Sequence, residues 1–173
     1  MKLSILITLL NEELVLSQTH QAISEKLEGM LLSEELSDYE ILYIDDGGSD
    51  KTLELIDSFA RENQRVKYIS FSRNFGRESG ILAGFKYATG EAVMVMDGDL
   101  QHPPYLIPLF VEAYKEGYDI VSCQRSREGE SVFGSFFARC FYTFSNHSMD
   151  VKLTDGKSEL RLLSKRAVDV FIS

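Results

Sequence analysis

Two aspartates one residue apart, Asp97-Gly98-Asp99, follow directly on the apolar run Val93 to Met96. A strand that ends in Asp-x-Asp presents both carboxylates near one point. Carboxylates held that close repel each other unless one is protonated or a cation bridges them. Oxygen-only donors suit the hard divalent ions Mg²⁺ and Mn²⁺, and such ions usually also hold substrate phosphates. The competing reading is a plain polar turn, and the position behind a buried strand tilts the choice towards metal. A second acidic pair lies in Ile44-Asp45-Asp46-Gly47-Gly48-Ser49-Asp50. There Asp50 reads as a helix cap, while Asp45 or Asp46 could accept the imino proton of uracil or bind ribose hydroxyls. Of the three histidines, His20 reads as a surface residue of a helix. His102, beside the Asp-x-Asp pair, is the one placed near this chemistry, and none has zinc spacing with Cys123 and Cys140.

The elements that must position these residues are legible as an alternation. Short apolar runs occur at Leu3 to Leu10, Tyr39 to Ile44, Val66 to Phe71, Ala92 to Met96 and Tyr118 to Ser122. Their length and their β-branched and aromatic content predict strands buried on both faces. Between them, apolar residues recur at helical spacing over Glu12 to Leu32, over the stretch opened by Asp50-Lys51-Thr52, and over Arg77 to Thr89, with Gly90 read as its C-cap. Pro103-Pro104 predicts the first turn of a fourth helix. The pattern predicts an α/β domain with a mainly parallel central sheet and helices on both faces. In such sheets ligands bind beyond the carboxyl ends of the strands. That rule points to Asn11-Glu12, to Asp45-Asp46-Gly47-Gly48 and to Asp97-Gly98-Asp99.

Composition narrows the function classes. The chain has 173 residues and a net charge of −9, which argues against general nucleic-acid binding. The acidity is uneven: residues 1–60 hold 3 Lys/Arg and 13 Asp/Glu, whereas 61–173 hold 15 and 14. The later part therefore has arginine for an anionic ligand. No apolar run approaches the length of a membrane span, and Leu3 to Leu10 lacks the flanks of a signal peptide. Gly-x-Gly-x-x-Gly after the first strand, the phosphate-loop Gly-Lys-Ser/Thr motif and Gly-x-Ser-x-Gly are all missing, which counts against dinucleotide enzymes, ATPases of that class and serine hydrolases.

Taken in order, Asn11-Glu12-Glu13, Asp45-Asp46-Gly47, Ser72-Arg73-Asn74-Phe75-Gly76, Ala83-Gly84 and Met96-Asp97-Gly98-Asp99-Leu100-Gln101-His102-Pro103-Pro104 resemble glycosyltransferase family 2. The pattern is closest to the bacterial subgroup that transfers a sugar to a polyprenyl phosphate such as undecaprenyl phosphate, a relative of dolichyl-phosphate mannose synthase. The likeness runs from Leu3 to about Val168. It implies a single GT-A domain over 1–173 and a metal-dependent, inverting transfer of a hexose from a nucleotide sugar, a UDP-sugar, to the lipid phosphate. It also implies Mg²⁺ or Mn²⁺ on Asp97, Asp99 and Gln101, and nucleotide contacts from Thr8, Glu12, Asp45, Asp46, Arg73 and Asp97. Arg125, Arg127 and Arg139 match the acceptor-phosphate region, and Glu159, in Glu159-Leu160-Arg161-Leu162, matches the catalytic carboxylate beside Asp99.

The chain departs from the family pattern at Thr8, Leu10, Gly48, Ser158 and Glu159, the last one methylene longer than the usual aspartate. A phosphomonoester is largely dianionic at pH 7 and hardly needs a base, so Glu159 is expected to position or balance charge. Phe133, Phe136, Phe137, Cys140, Phe141 and Phe144 recur at helical spacing, which predicts a helix over 132–144 that packs on the core or lies on a membrane surface. Relatives commonly continue into two membrane spans, so the chain reads as the N-terminal catalytic fragment of a longer protein at the cytoplasmic face of the cell membrane. The partners expected are the nucleotide-sugar donor, the polyprenyl-phosphate acceptor, the membrane and, as an open option, a second copy. The alternatives are a soluble transferase acting on a saccharide or protein hydroxyl and a silent nucleotide-sugar-binding module.

Overall fold

The computed structural model describes residues 1–99, 103–123, 140–142 and 160–173. The elements run β1 (Lys2–Leu9), α1 (Leu16–Leu32), β2 (Asp38–Asp45), α2 (Thr52–Glu62), β3 (Val66–Ser70), α3 (Arg77–Tyr87), β4 (Ala92–Asp97), α4 (Leu106–Lys115), β5 (Ile120–Cys123), β6 (Cys140–Tyr142), β7 (Arg161–Ser164) and α5 (Lys165–Ile172). They build one sheet in the order β3-β2-β1-β4-β7-β5-β6. The β3-β2-β1-β4 part is parallel, while β7 runs antiparallel between β4 and β5, and β6 runs antiparallel on the far edge.

Both faces of the sheet are apolar. On one, Leu3, Ile5, Ile7 and Leu9 of β1 pack with Leu16, Ile23 and Leu27 of α1, Ile56 of α2 and Phe110 of α4. On the other, Leu6, Leu42, Ile44, Val93 and Val95 meet Phe85 of α3 and Val168 of α5. A strand buried on both sides cannot alternate apolar with polar residues. This is why β1 reads as an unbroken apolar run.

The five predicted strands and the helices between them are present, with four differences. Residues 12–15 form a turn, and α1 begins only at Leu16. Gly90 is not a C-cap. Helix α3 ends at Ala88, and Gly90 lies where a Cβ would stand 2.7 Å from the backbone nitrogen of Ser4, so β1 itself requires the glycine. The helix expected over 132–144 is wrong at Cys140–Tyr142, which pair with β5 as strand β6. A short aromatic run fits a pleated edge as well as a helical face, and periodicity does not separate the two. Strand β7 was not foreseen, because Leu160 to Ser164 is too short to register as a run.

The amino end of the sheet holds a buried acid, Glu40. Its Oε1 accepts from the Ser4 hydroxyl and the Thr89 amide, each at 2.6 Å, and its Oε2 accepts from Lys67 Nζ at 2.8 Å. The Ser4 oxygen in turn accepts from the Gly90 amide at 2.9 Å. Burial alone would push the Glu40 carboxyl up, but Lys67, Ser4 and Thr89 together bring it below the ordinary range.

Candidate functional site

The opposite, carboxyl end of the parallel strands gathers the acids singled out from the sequence. Thr8 at the end of β1 lies opposite Asp97 on β4, and Leu9 lies opposite Asp45 on β2. Neighbouring strands are about 4.8 Å apart, so the three strand ends form one ledge.

The loops after β1 and β2 are stitched together above that ledge. Asn11 adopts φ +57°, and its Oδ1 accepts from the Ser49 amide at 2.8 Å and the Asp50 amide at 3.3 Å. The Glu12 amide donates to Thr52 Oγ1 at 2.8 Å, and the Glu13 amide donates to Asp50 Oδ2 at 3.0 Å. Glu13 Oε2 accepts from the Lys51 amide at 2.9 Å. Asp50 also accepts from the Thr52 amide at 2.9 Å, the cap-type bond expected of it, although the last residue before α2 is Lys51. Asn11, Glu13 and Asp50 thus build the loops. The Glu12 carboxyl lies within electrostatic reach of Asp99, Asp50 and Asp97 and is pushed above the usual range by its own burial and then by these acids.

Asp45 and Asp46 are both buried but have different surroundings. Asp45 accepts from the Ser70 hydroxyl at 2.8 Å and from the Gly48 amide at 3.3 Å. Asp46 accepts from the Phe75 amide at 2.7 Å and the Gly76 amide at 3.0 Å, so it fixes where α3 begins. Gly47 between this pair and the loop has φ +71°, and a Cβ there would lie 2.4 Å from the Arg73 backbone. Only glycine combines that φ with that approach. Arg73 is exposed, and its guanidinium lies 4.7 Å from the centre of the half-exposed Phe75 ring.

The Asp97-Gly98-Asp99 turn is anchored from behind. Thr19 of α1 is buried, and its hydroxyl donates to the Gly98 carbonyl at 2.8 Å. A Cβ on Gly98 would come 2.1 Å from Leu9 Cδ2, so the turn lies flat on β1. Arg77, in the first turn of α3, donates from Nη2 to Asp97 Oδ1 at 2.9 Å. The donor set of Asp97 and Asp99, hard oxygens with Glu12 close enough to feel both, fits a divalent cation that shares its coordination with phosphate oxygens. Among the described residues the acids do not close into a cage of three or more ligands.

Thr8, Glu12, Asp45, Asp46, Asp97 and Asp99, all expected from the sequence, thus lie at one end of the sheet, with Arg73 beside Gly47. Gln101, His102, Arg125, Arg127, Arg139 and Glu159 lie outside the described residues. His20 is a correction. It is half-buried, its ring stacks on Phe59 at 4.0 Å and 5°, and its Nδ1 lies 3.0 Å from the Tyr43 hydroxyl. Burial pushes its imidazole pKa down against the pull of Glu62. Packing between α1 and α2 decides this, and a lone histidine in a helical pattern does not reveal it. Arg77 and Thr19 were missed. Arg77 could have been found as the basic residue just past Asn74-Phe75-Gly76, at the start of a helix that must point at the site. A concave surface of about 560 Å³ between Thr89, Glu91, Tyr114, Asp119 and Arg166 lies at the other end of the sheet and contains none of these residues.

The fold is that of the GT-A class, a class shared by solved structures of low sequence identity. One is the mannosyltransferase PcManGT of Pyrobaculum calidifontis in complex with GDP-Man and Mn²⁺, at TM-score 0.57 and 17% identity, covering 70% of this chain and 34% of that one. Another is glucosyl-3-phosphoglycerate synthase of Mycobacterium tuberculosis with Mn²⁺, UDP and phosphoglyceric acid, at TM-score 0.53 and 20% identity, covering 69% and 41%. Residues 4–171 match glycosyl transferase family 2, and the chain belongs to that family. Among curated relatives, the "Putative glycosyltransferase CsbB" of Bacillus subtilis (strain 168) is 45% identical over 98% of this chain and 50% of its own length. The prophage bactoprenol glucosyl transferase homolog of Escherichia coli (strain K12) is 33% identical over 98% of this chain and 54% of its own. The chain thus spans about half the length of these relatives. Among the described residues no helix is long and apolar enough to cross a membrane.

Proposed function

We propose that this chain is the donor-binding part of an inverting glycosyltransferase that moves a hexose from a UDP-sugar to a polyprenyl phosphate, in building or modifying the cell envelope at the cytoplasmic face of the membrane. The observation that supports it most is the alignment of Thr8, Asp45 and Asp97 at three adjacent strand ends of a family 2 chain. The acceptor class rests on the bactoprenol glucosyl transferase relative, which matches nearly the whole chain.

In this reading Thr8, Glu12, Asp45 and Arg73 surround the nucleoside, and Asp46 serves it by holding the 75–76 amides. Asp97 and Asp99, with Gln101, hold Mg²⁺ or Mn²⁺, and the bound cation supplies neutralising charge to the departing diphosphate. Negative charge grows on that leaving group as the sugar becomes oxocarbenium-like, so positive charge held at the ledge would lower the barrier. Arg125, Arg127 and Arg139 bind the acceptor phosphate, for which guanidinium geometry is suited. The phosphate attacks as a dianion, and Glu159 positions it or balances charge. Calorimetric titration with UDP and with GDP, each with and without Mn²⁺, tests the donor half. The expected result is UDP binding that requires Mn²⁺ and vanishes in Asp97→Ala. A folded protein that binds neither nucleotide would overturn the reading.

A further inference from the structure

The packing of α3 dictates where Arg77 lies. Helix α3 turns a small-residue face to β1. A Cβ on Gly84 would come 2.1 Å from Leu6, and one on Gly80 would come 3.1 Å from Thr8 Cγ2 and 3.3 Å from Ile44. The helix axis is therefore held close over β1, with Gly80 above Thr8. Arg77 is three residues earlier and so on the same helical face, one turn nearer the ledge. Thr8 is paired in register with Asp97. The guanidinium reaches sideways from α3 to that carboxylate, 2.9 Å away, with the Arg77 and Asp97 side chains 28% and 25% exposed. The start of α3 is fixed independently by Asp46 on the Phe75 and Gly76 amides. Two elements thus aim one arginine at the first carboxylate of the Asp-x-Asp pair.

We propose that Arg77 is a positioning residue that stands in for the cation before donor arrives. It holds Asp97 in orientation and offsets the charge of Asp97, Asp99 and Glu12. When nucleotide diphosphate binds, the guanidinium turns from the carboxylate to the diphosphate oxygens. This role rests on the donor-site reading above. It carries a signature that a merely structural arginine lacks: the two ligands respond in opposite directions. Without Arg77 the ledge is more negative, so a bare cation binds more tightly. Without Arg77 the anionic nucleotide loses a partner, so it binds more weakly.

The test is calorimetric titration of wild type, Arg77→Gln and Arg77→Lys with Mn²⁺ alone and with UDP in saturating Mn²⁺, with thermal melting to verify folding. Arg77→Gln is expected to bind Mn²⁺ alone at least about five-fold more tightly, the lower bound set by one unit charge about 4 Å away under full water-like screening. It is expected to bind UDP about ten-fold more weakly, as for loss of one charge-assisted hydrogen bond. Arg77→Lys restores wild-type Mn²⁺ affinity and only part of the UDP affinity, because an ammonium lacks the planar fork. Mn²⁺ affinity that Arg77→Gln leaves unchanged or weakens, in a protein whose wild type binds Mn²⁺ and UDP, overturns the role of Arg77 alone. A wild type that binds neither overturns the donor-site reading and this role with it.

Discussion

Two acids at opposite ends of the sheet, Glu40 and Glu12, are treated in opposite ways. At the amino end Glu40 is enclosed by Ser4, Thr89 and Lys67, and its carboxyl is held below the ordinary range. At the carboxyl end Glu12 lies within electrostatic reach of Asp99, Asp50 and Asp97, and its carboxyl is held above it. One acid has its hydrogen bonds completed inside the protein. The other is left among like charges that Arg77 offsets at Asp97. A fold tolerates the second arrangement where a ligand completes it, and acids perturbed by like charges are functional candidates for that reason.

The comparison can be broken by substitution, and the largest effect is expected at the open end. Asp99→Ala should lower transferase activity by about 100-fold or more, as for removal of one group stabilising transition-state charge, with little change in melting temperature. Glu159→Gln should cost much less, and equal losses in the two variants would sink the charge-balancing role given to Glu159. Steady-state rates measured on the two variants side by side decide it. At the closed end the pattern reverses. Glu40→Ala should destabilise by about 2–4 kcal/mol, because the Ser4, Thr89 and Lys67 donors lose their partner, while the folded fraction keeps its UDP affinity. Denaturant unfolding paired with titration would expose any failure of that separation.

Smaller effects sharpen the contrast. Gly98→Ala should cost about 1–3 kcal/mol by driving a methyl into Leu9, and it should also weaken Mn²⁺ binding by lifting the Asp97–Asp99 turn. Loss of stability with Mn²⁺ affinity intact would show that the turn adjusts freely. Glu12→Gln should change neutral-pH stability least, by less than about 1 kcal/mol and in the stabilising direction. The signs with pH follow from linkage. Glu40, lowered in the fold, contributes stability that is present above the ordinary carboxylate range and lost as pH falls through its folded value. Glu12, raised in the fold, opposes folding above its folded value, and that opposition is relieved as pH falls through it. Urea unfolding from pH 3 to 7 of wild type, Glu12→Gln and Glu40→Gln should show the first variant stabilised at the upper end only and the second destabilised there only.

What the sequence revealed follows from how local each signal is. Strands β1, β2 and β4 announce themselves because both of their faces are buried, and their terminal acids are then placed by topology alone. Asp97 and Asp99 were legible for that reason. Arg77 was not, since its meeting with Asp97 depends on how closely α3 lies over β1, which the small Gly80 and Gly84 permit. Thr19 was hidden in the same way, reaching the Gly98 carbonyl across 79 positions of chain. His20 misled because a helical pattern shows a face without showing what covers it, here Phe59. Strand β7 is four residues long, and its place is set by neighbours distant in sequence.

The insertion of β7 between β4 and β5 also orders events in time. The parallel strands up to β4 are made of contacts among early residues, and they can pair as the chain leaves the ribosome. Among the described residues, the outer edge of β4 pairs with Arg161–Ser164, which is synthesised after β5. Until then the nascent protein presents an unpaired, apolar strand edge, the feature most prone to pairing with another chain. A sheet closed by so late a strand keeps that edge open while the chain beyond β5 is made, a condition that favours aggregation and chaperone binding.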